Sequence, residues 1–279
     1  MHTDSTPNGQ GAFRIPAGLD HALLIHGYMG SPREFLPLAM ALADAGVTAQ
    51  AVLLPGFGDD RERLGSVRAE DWLQAARTMW QEMRRSGGRS TLIGFSMGGA
   101  VALSLAAEAG MTPDELILLA PHWRFADRRA AILPIGKYLL RTFRPFGRPN
   151  FDDPATRAMF AEIAPGADLD DPAIRHSLRD VFAVPTSSLD ELRRIGVMAG
   201  NASRRYAGKT TIIQGMDDPT TLPKHSRTLA VRMGAPLLPV PGDHMLVDPT
   251  RPGWPEVSAA ILARATGQPS AAVPEPTTR

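Results

Sequence analysis

The 279-residue chain predicts an α/β fold: a mostly parallel sheet flanked by helices, with an inserted helical cap. Three observations predict it. Short apolar runs alternate with helix-like stretches, the order of βαβ units. The runs are apolar at successive positions, as strands covered on both faces must be. The alternation stops over residues 121–206, where helix-like pieces are broken by proline, and resumes at residue 210.

A short strand is expected near Phe13–Ile15 and a buried one at His21–Ile25 (HALLI). A helix follows, with Ser31 as N-cap, Pro32 in the first helical position, Glu34 completing a capping box and Gly46 as terminator. Residues 47–54 read as a strand, 56–66 as a polar loop and 70–85 as an amphipathic helix. A strand at 91–94, a helix over 97–108 ending at Gly110 and a strand at 115–120 come next. After the insertion come a strand at 210–214, a helix over 224–233, a strand at 236–240 and a helix over 255–265. The implied organisation is a flexible lead-in (1–18), an α/β core (19–120 and 207–266), a helical cap insertion (121–206) and a disordered tail (267–279).

Composition narrows the function classes. Thirty basic residues meet 29 acidic ones, a net charge of +1, so there is no global case for a nucleic-acid partner. There is no cysteine, which excludes disulfides, thiolate metal sites and a cysteine nucleophile. The polar N-terminus lacks the basic-then-apolar order of a signal peptide, and no apolar run reaches about 18 residues. The expectation is a soluble cytoplasmic protein without stable membrane insertion. The residues carry no indication of oligomeric state.

Gly94-Phe95-Ser96-Met97-Gly98 matches G-x-S-x-G between an apolar strand and a helix start rich in small residues. In that context a sharp turn lifts a serine hydroxyl above the sheet, and glycines avoid collision with the neighbouring strand and helix. A dinucleotide-binding turn fits poorly: Ser96 takes the place of its second glycine, and no acidic residue follows about 20 residues later. Ser96 is therefore the candidate nucleophile.

A serine hydroxyl needs a base, and the base a carboxylate to orient it. His244, in PGDHML just past the 236–240 strand, lies where a loop returns to the sheet edge carrying Ser96. Of the other histidines, His225 falls in a helix expected at the surface. His122 ends a strand as a candidate pocket wall, and His176 lies in the insertion. His26 is expected to hold its loop by hydrogen bonds. The acid candidates are Asp217 and Asp218, on the loop after 210–214. Two backbone N–H groups must meet the oxyanion. The candidates are Met97, following the nucleophile, and Tyr28, in the loop His26-Gly27-Tyr28-Met29-Gly30, with the Tyr28 ring as a pocket wall.

Together, LLIHGYMGS, LPGFGDD, IGFSMGGAVAL, IIQGMDDP and PGDHM resemble the α/β-hydrolase family over roughly residues 20–265. Within it, HGYMGS and the spacing of PGFGDD to RAEDW resemble bacterial serine carboxylesterases and monoacylglycerol lipases. The resemblance implies the α/β-hydrolase fold, a cap supplied by 121–206, no cofactor and no metal. It selects Asp218, because related sequences place the acid third after this glycine and just before proline. The implied activity is hydrolysis of a small apolar ester through an acyl-enzyme. A thioesterase, a C–C bond hydrolase or a lyase would use the same triad, and a ligand-binding protein on this scaffold is a reading from another class.

Residues 123–148 hold seven basic residues (Arg124, Arg128, Arg129, Lys137, Arg141, Arg144, Arg148) against Asp127 alone. Ile132, Leu133, Ile135, Tyr138, Leu139, Leu140, Phe143 and Phe146 are interleaved. One reading is a lid whose basic face makes transient contact with anionic lipid. The other is a cap helix with a solvated outer face. Both place apolar side chains over Ser96.

Overall fold

A computed structural model describes residues 10–144, 151–152, 157, 167–175 and 183–268. Its centre is a seven-stranded sheet in the order β1-β3-β2-β4-β5-β8-β9. The strands are β1 (Phe13–Ile15), β2 (His21–Ile25), β3 (Thr48–Val52), β4 (Ser90–Phe95), β5 (Glu115–Leu119), β8 (Thr210–Gly215) and β9 (Leu237–Val240). Only β1 runs antiparallel, with Phe13 opposite Ala51; every other neighbouring pair is parallel. The expected fold class, a mostly parallel sheet flanked by helices, is the one observed.

The apolar runs are explained by two cores, one on each face. Leu23, Ile25, Leu92, Leu116, Leu118 and Ile212 face one cluster, and Ala22, Leu24, Ile93, Ile117, Leu119 and Ile213 face the other. Successive side chains alternate between faces, so a strand covered on both sides reads as continuously apolar. Helices α2 (Ala69–Arg84) and α3 (Met97–Ala106) cover the first face with Trp72, Trp80, Val101 and Leu105. Helices α1 (Leu36–Asp44) and α7 (Trp254–Ala265) cover the second with Leu38, Leu42, Val257 and Ile261.

The start of α1 differs from expectation. A 3-10 turn at Pro32–Phe35 leads into it, and Ser31 makes no side-chain cap. Glu34 does not turn back to Ser31 as a capping box requires; its carboxylate accepts from the Gly27 N–H at 2.9 Å. Gly46 does end the helix, at a φ of +84°.

The segment after β5 is divided between two environments. Its first part holds a 3-10 turn at Arg128–Ile132 and helix α4 (Leu133–Leu139), which buries no residue. A two-residue pair, β6 (Thr142–Phe143) with β7 (Val184–Pro185), ties the ends of the described part together. Two-residue strands leave no periodic signal, and none was expected. Helix α5 (Thr186–Ala202), in contrast, buries Leu192, Ile195, Ala199 and Ala202 in the same core cluster as α3. The last helix of the insertion is thus packed on α3, in the helix layer over the sheet. Helix α6 (Pro223–Met233) then leads to β9. Residues 1–9 and 269–279, half of the expected lead-in and most of the expected tail, lie outside the described residues, as do Phe146, Arg148 and His176. No helix among the described residues is long and apolar enough to cross a membrane.

Candidate active site

Because the sheet is parallel, the loops after β2, β4, β5, β8 and β9 leave from one edge, and the predicted site residues sit on them. Ser96 links β4 to α3 with φ +52° and ψ −115°, a conformation that costs a non-glycine residue of order 1–3 kcal/mol. Two hydrogen bonds to β5 and the loop after it hold it there. Its N–H donates to the Leu119 carbonyl at 2.9 Å, and its carbonyl accepts from the His122 N–H at 3.0 Å. A side chain at Gly98 would collide with the Ile25 carbonyl oxygen, so the helix start approaches β2 only as glycine.

His244, on the loop after β9, has its Nε2 3.0 Å from Ser96 Oγ and its Nδ1 2.7 Å from Asp218 Oδ2. A carboxylate only accepts, so Nδ1 carries the proton and Nε2 is free to accept from the serine hydroxyl. The Phe95 ring, 5.0 Å away centre to centre, supports the imidazole. Of the two aspartates, Asp218 turns inward and is buried, whereas Asp217 is exposed.

Asp218 is satisfied on both oxygens. Oδ1 accepts from the Thr220 and Thr221 N–H groups at 2.7 and 2.9 Å, an Asx-type turn. Oδ2 accepts from Gln214 Nε2 at 3.0 Å and Thr221 Oγ at 2.6 Å, besides His244. Burial pushes its pKa up, but the hydrogen bonds from His244 and Thr221 outweigh that and leave it below the usual carboxylate value. Gln214 is fixed in turn by Ser226 Oγ at 2.5 Å. Thr221 and Gln214 were not singled out by the sequence. An aspartate followed at the second and third positions by threonine is a local signal for the first; the second has no local signal.

Met97 follows Ser96 directly, and Gly27, the neighbour of Tyr28, lies so close that a side chain there would sit 3.4 Å from Ser96 Cβ. Met97 opens α3, where helix amides have no acceptor within the helix. Tyr28 lies in a turn closed by the Gly30 N–H to the Gly27 carbonyl at 3.2 Å, with Met29 at φ +63°. His26 braces this loop through Nδ1 to the Gly27 carbonyl at 2.8 Å, while its Nε2 accepts from the Leu54 N–H at 3.1 Å. Burial lowers its pKa to about 4, so it works as a neutral ring. The Tyr28 ring packs edge-on against Phe57, and its hydroxyl lies 2.6 Å from Ser188 Oγ on α5.

The remaining histidines separate. His122 is buried beside Phe125, Nε2 has no hydrogen-bond partner, and burial lowers its pKa to about 4. His225 is a correction: it is buried, not solvated. Positions 225, 226, 229 and 230 form the inner face of α6, and the His225 ring meets Trp123 edge-on at 6.5 Å. The inserted segment brings a second correction. Ile132, Ile135, Tyr138, Leu139 and Leu140 stand exposed, Leu139 at 86%, rather than packed over Ser96. Lys137, expected in a basic face, instead meets the buried Asp190 of α5 at 2.6 Å. Among the described residues, no cluster of three or more His, Cys, Asp or Glu side chains is placed to hold a metal ion.

A family model described as "Alpha/beta hydrolase family" matches residues 22–265. A thermostable monoacylglycerol lipase of Bacillus sp. (strain H-257) is 31% identical over 99 residues, which span 36% of this chain and 40% of that lipase. In fold, the chain is similar to a structure from work on the metagenome-derived lipolytic enzymes LipS and LipT. The TM-score is 0.73 at 20% identity, covering 95% of this chain and 100% of that one. It is also similar to the monoacylglycerol lipase of Paleococcus ferrophilus, with a TM-score of 0.68 at 17% identity, over 92% of this chain and 98% of that one.

Proposed function

The chain belongs to the alpha/beta hydrolase family, and on that premise we propose that it cleaves carboxylic esters through an acyl-enzyme on Ser96. The observation that carries this is the hydrogen-bond chain from Ser96 Oγ through His244 to Asp218 at one sheet edge. Ser96 Oγ attacks the ester carbonyl as His244 Nε2 takes its proton. Asp218 holds the ring in the required tautomer and stabilises the imidazolium. The Met97 and Tyr28 N–H groups receive the oxyanion, and the positive end of α3 favours it. His244 then protonates the departing alkoxide, and water repeats the sequence to free the acid and restore Ser96. The reaction so written uses no cofactor or metal.

The substrate class is a short- to medium-chain acyl ester or a monoacylglycerol-like ester. The partial match to a monoacylglycerol lipase supports it. The cap is the inserted segment 121–206, and the exposed Ile135, Tyr138 and Leu139 near Arg141 in sequence suit transient contact with lipid that carries the ester.

Ser96→Ala tests the mechanism. On a p-nitrophenyl acyl ester its kcat is expected to fall about 10^5- to 10^6-fold, and fluorophosphonate labelling of the protein is expected to vanish. Wild-type turnover by the variant would refute the reading. An ester panel of graded chain length, with matching thioesters, reads the substrate class.

A further inference from the structure

We propose that Glu34 is a positioning residue for the oxyanion loop, fixing residues 27–30 so that the Tyr28 N–H stays aimed at the reacting carbonyl. This rests on the reading of Tyr28 as an oxyanion donor. The Glu34 carboxyl reaches both ends of the loop. Oε1 accepts from the Gly27 N–H at 2.9 Å, and Oε2 fills the space that a side chain at Gly30 would need. The turn between these glycines is closed by the Gly30 N–H to the Gly27 carbonyl, and it holds Met29 at φ +63°. Such a turn needs outside restraint.

His26 supplies restraint from one side, through the Gly27 carbonyl. Glu34 supplies it from the other, through the Gly27 N–H. With that amide committed to Glu34, the next one, Tyr28, is left for the substrate. The carboxyl is not spent on starting a helix, because Ser31 makes no side-chain cap and Glu34 does not return to it. Burial costs it its ordinary acidity: its pKa is pushed up to about 7, against the pull of the Gly27 hydrogen bond. A carboxyl held at that cost under a glycine turn fits a role in shaping the loop.

Reach, not charge, is what the role requires. Glu34→Asp keeps the charge but withdraws the acceptor by one methylene, whereas Glu34→Gln keeps the acceptor at the same reach. On a p-nitrophenyl acyl ester, E34D is expected to lower kcat about 10- to 100-fold, the scale of a misplaced catalytic donor. KM is expected to stay within about twofold, since the contact acts in the transition state. Affinity for a boronic acid, which forms a tetrahedral adduct on Ser96, should fall by the same factor as kcat. E34Q should restore kcat to within about threefold of wild type.

Hydrogen exchange of residues 26–30 reads the loop directly in whichever variant folds, with faster exchange expected in E34D and wild-type exchange in E34Q. Wild-type kcat in E34D, a rise in KM at constant kcat, E34Q falling as far as E34D, or equal exchange in all three proteins would each overturn the assignment. These outcomes leave the serine mechanism standing as long as S96A is inactive. A fully active S96A would instead overturn that mechanism, and the role of Glu34 with it.

Discussion

The carboxyl edge of the sheet and the segment inserted after β5 hold their residues in opposite ways. At the sheet edge, Ser96, His244 and Asp218 stand on loops whose two ends are fixed by buried strands and helices, and the Asp218 carboxylate has a partner for each oxygen. In the inserted segment, α4 buries no residue. Among its described contacts, the Lys137–Asp190 pair joins it to α5. The difference teaches where precision is stored. The edge holds these side chains through many short hydrogen bonds, while α4 presents its apolar side chains to solvent.

The largest test of the contrast is Asp218→Asn. It removes the charge and disturbs the tautomer of His244, so kcat is expected to fall about 10^3- to 10^4-fold with the fold retained. Steady-state kinetics beside a melting curve check this; a fall below tenfold would mean that the edge is less demanding than its contacts imply. Next, Leu118→Ala on β5, fully buried in the core, should cost about 2–5 kcal/mol in urea denaturation.

pH probes the buried titratable groups of the edge. His26 and His122 have pKa values lowered from 6.5 to about 4, so the stability they contribute is present above pH 6.5 and is lost as pH falls toward 4. Glu34 acts oppositely. With its pKa raised from 4.5 to about 7, its contribution is present below pH 4.5 and is lost as pH rises through 7. Between pH 4.5 and 6.5 the two histidines outweigh the one carboxyl. His225, whose pKa burial also lowers, acts with them, so stability should rise with pH by at least about 1.4 kcal/mol per unit, and more steeply in E34Q. Urea titrations across this window measure both slopes. A flat wild-type profile would show that the edge does not keep these rings neutral. The smallest effect is expected in the insertion: Leu139→Ala should change stability by less than about 0.5 kcal/mol. A large loss there would erase the contrast.

The sequence by itself determined the fold class and the elements that form the sheet. It did so because a strand covered on both faces must be apolar at every position, a strictly local signature. It also singled out Ser96 as the candidate nucleophile, through a glycine-flanked turn between strand and helix, and it put His244 and two aspartates on loops at the same sheet edge. Choosing Asp218 over Asp217 by residues alone needed a family resemblance. In the structure, contacts from Gln214 and Thr221 accompany the inward turn of Asp218. Other features had no local trace. Glu34 follows a good capping pattern, yet its carboxyl is drawn to Gly27, seven residues back. His225 reads as a surface position until Trp123, more than 100 residues away, packs against it. The 186–202 helix reads as part of an insertion, yet its apolar stripe is buried against α3. Local signals report what a residue prefers among its chain neighbours. Which polar group meets which, and which helix face is inward, depends on partners brought together only when the sheet and its helices pack.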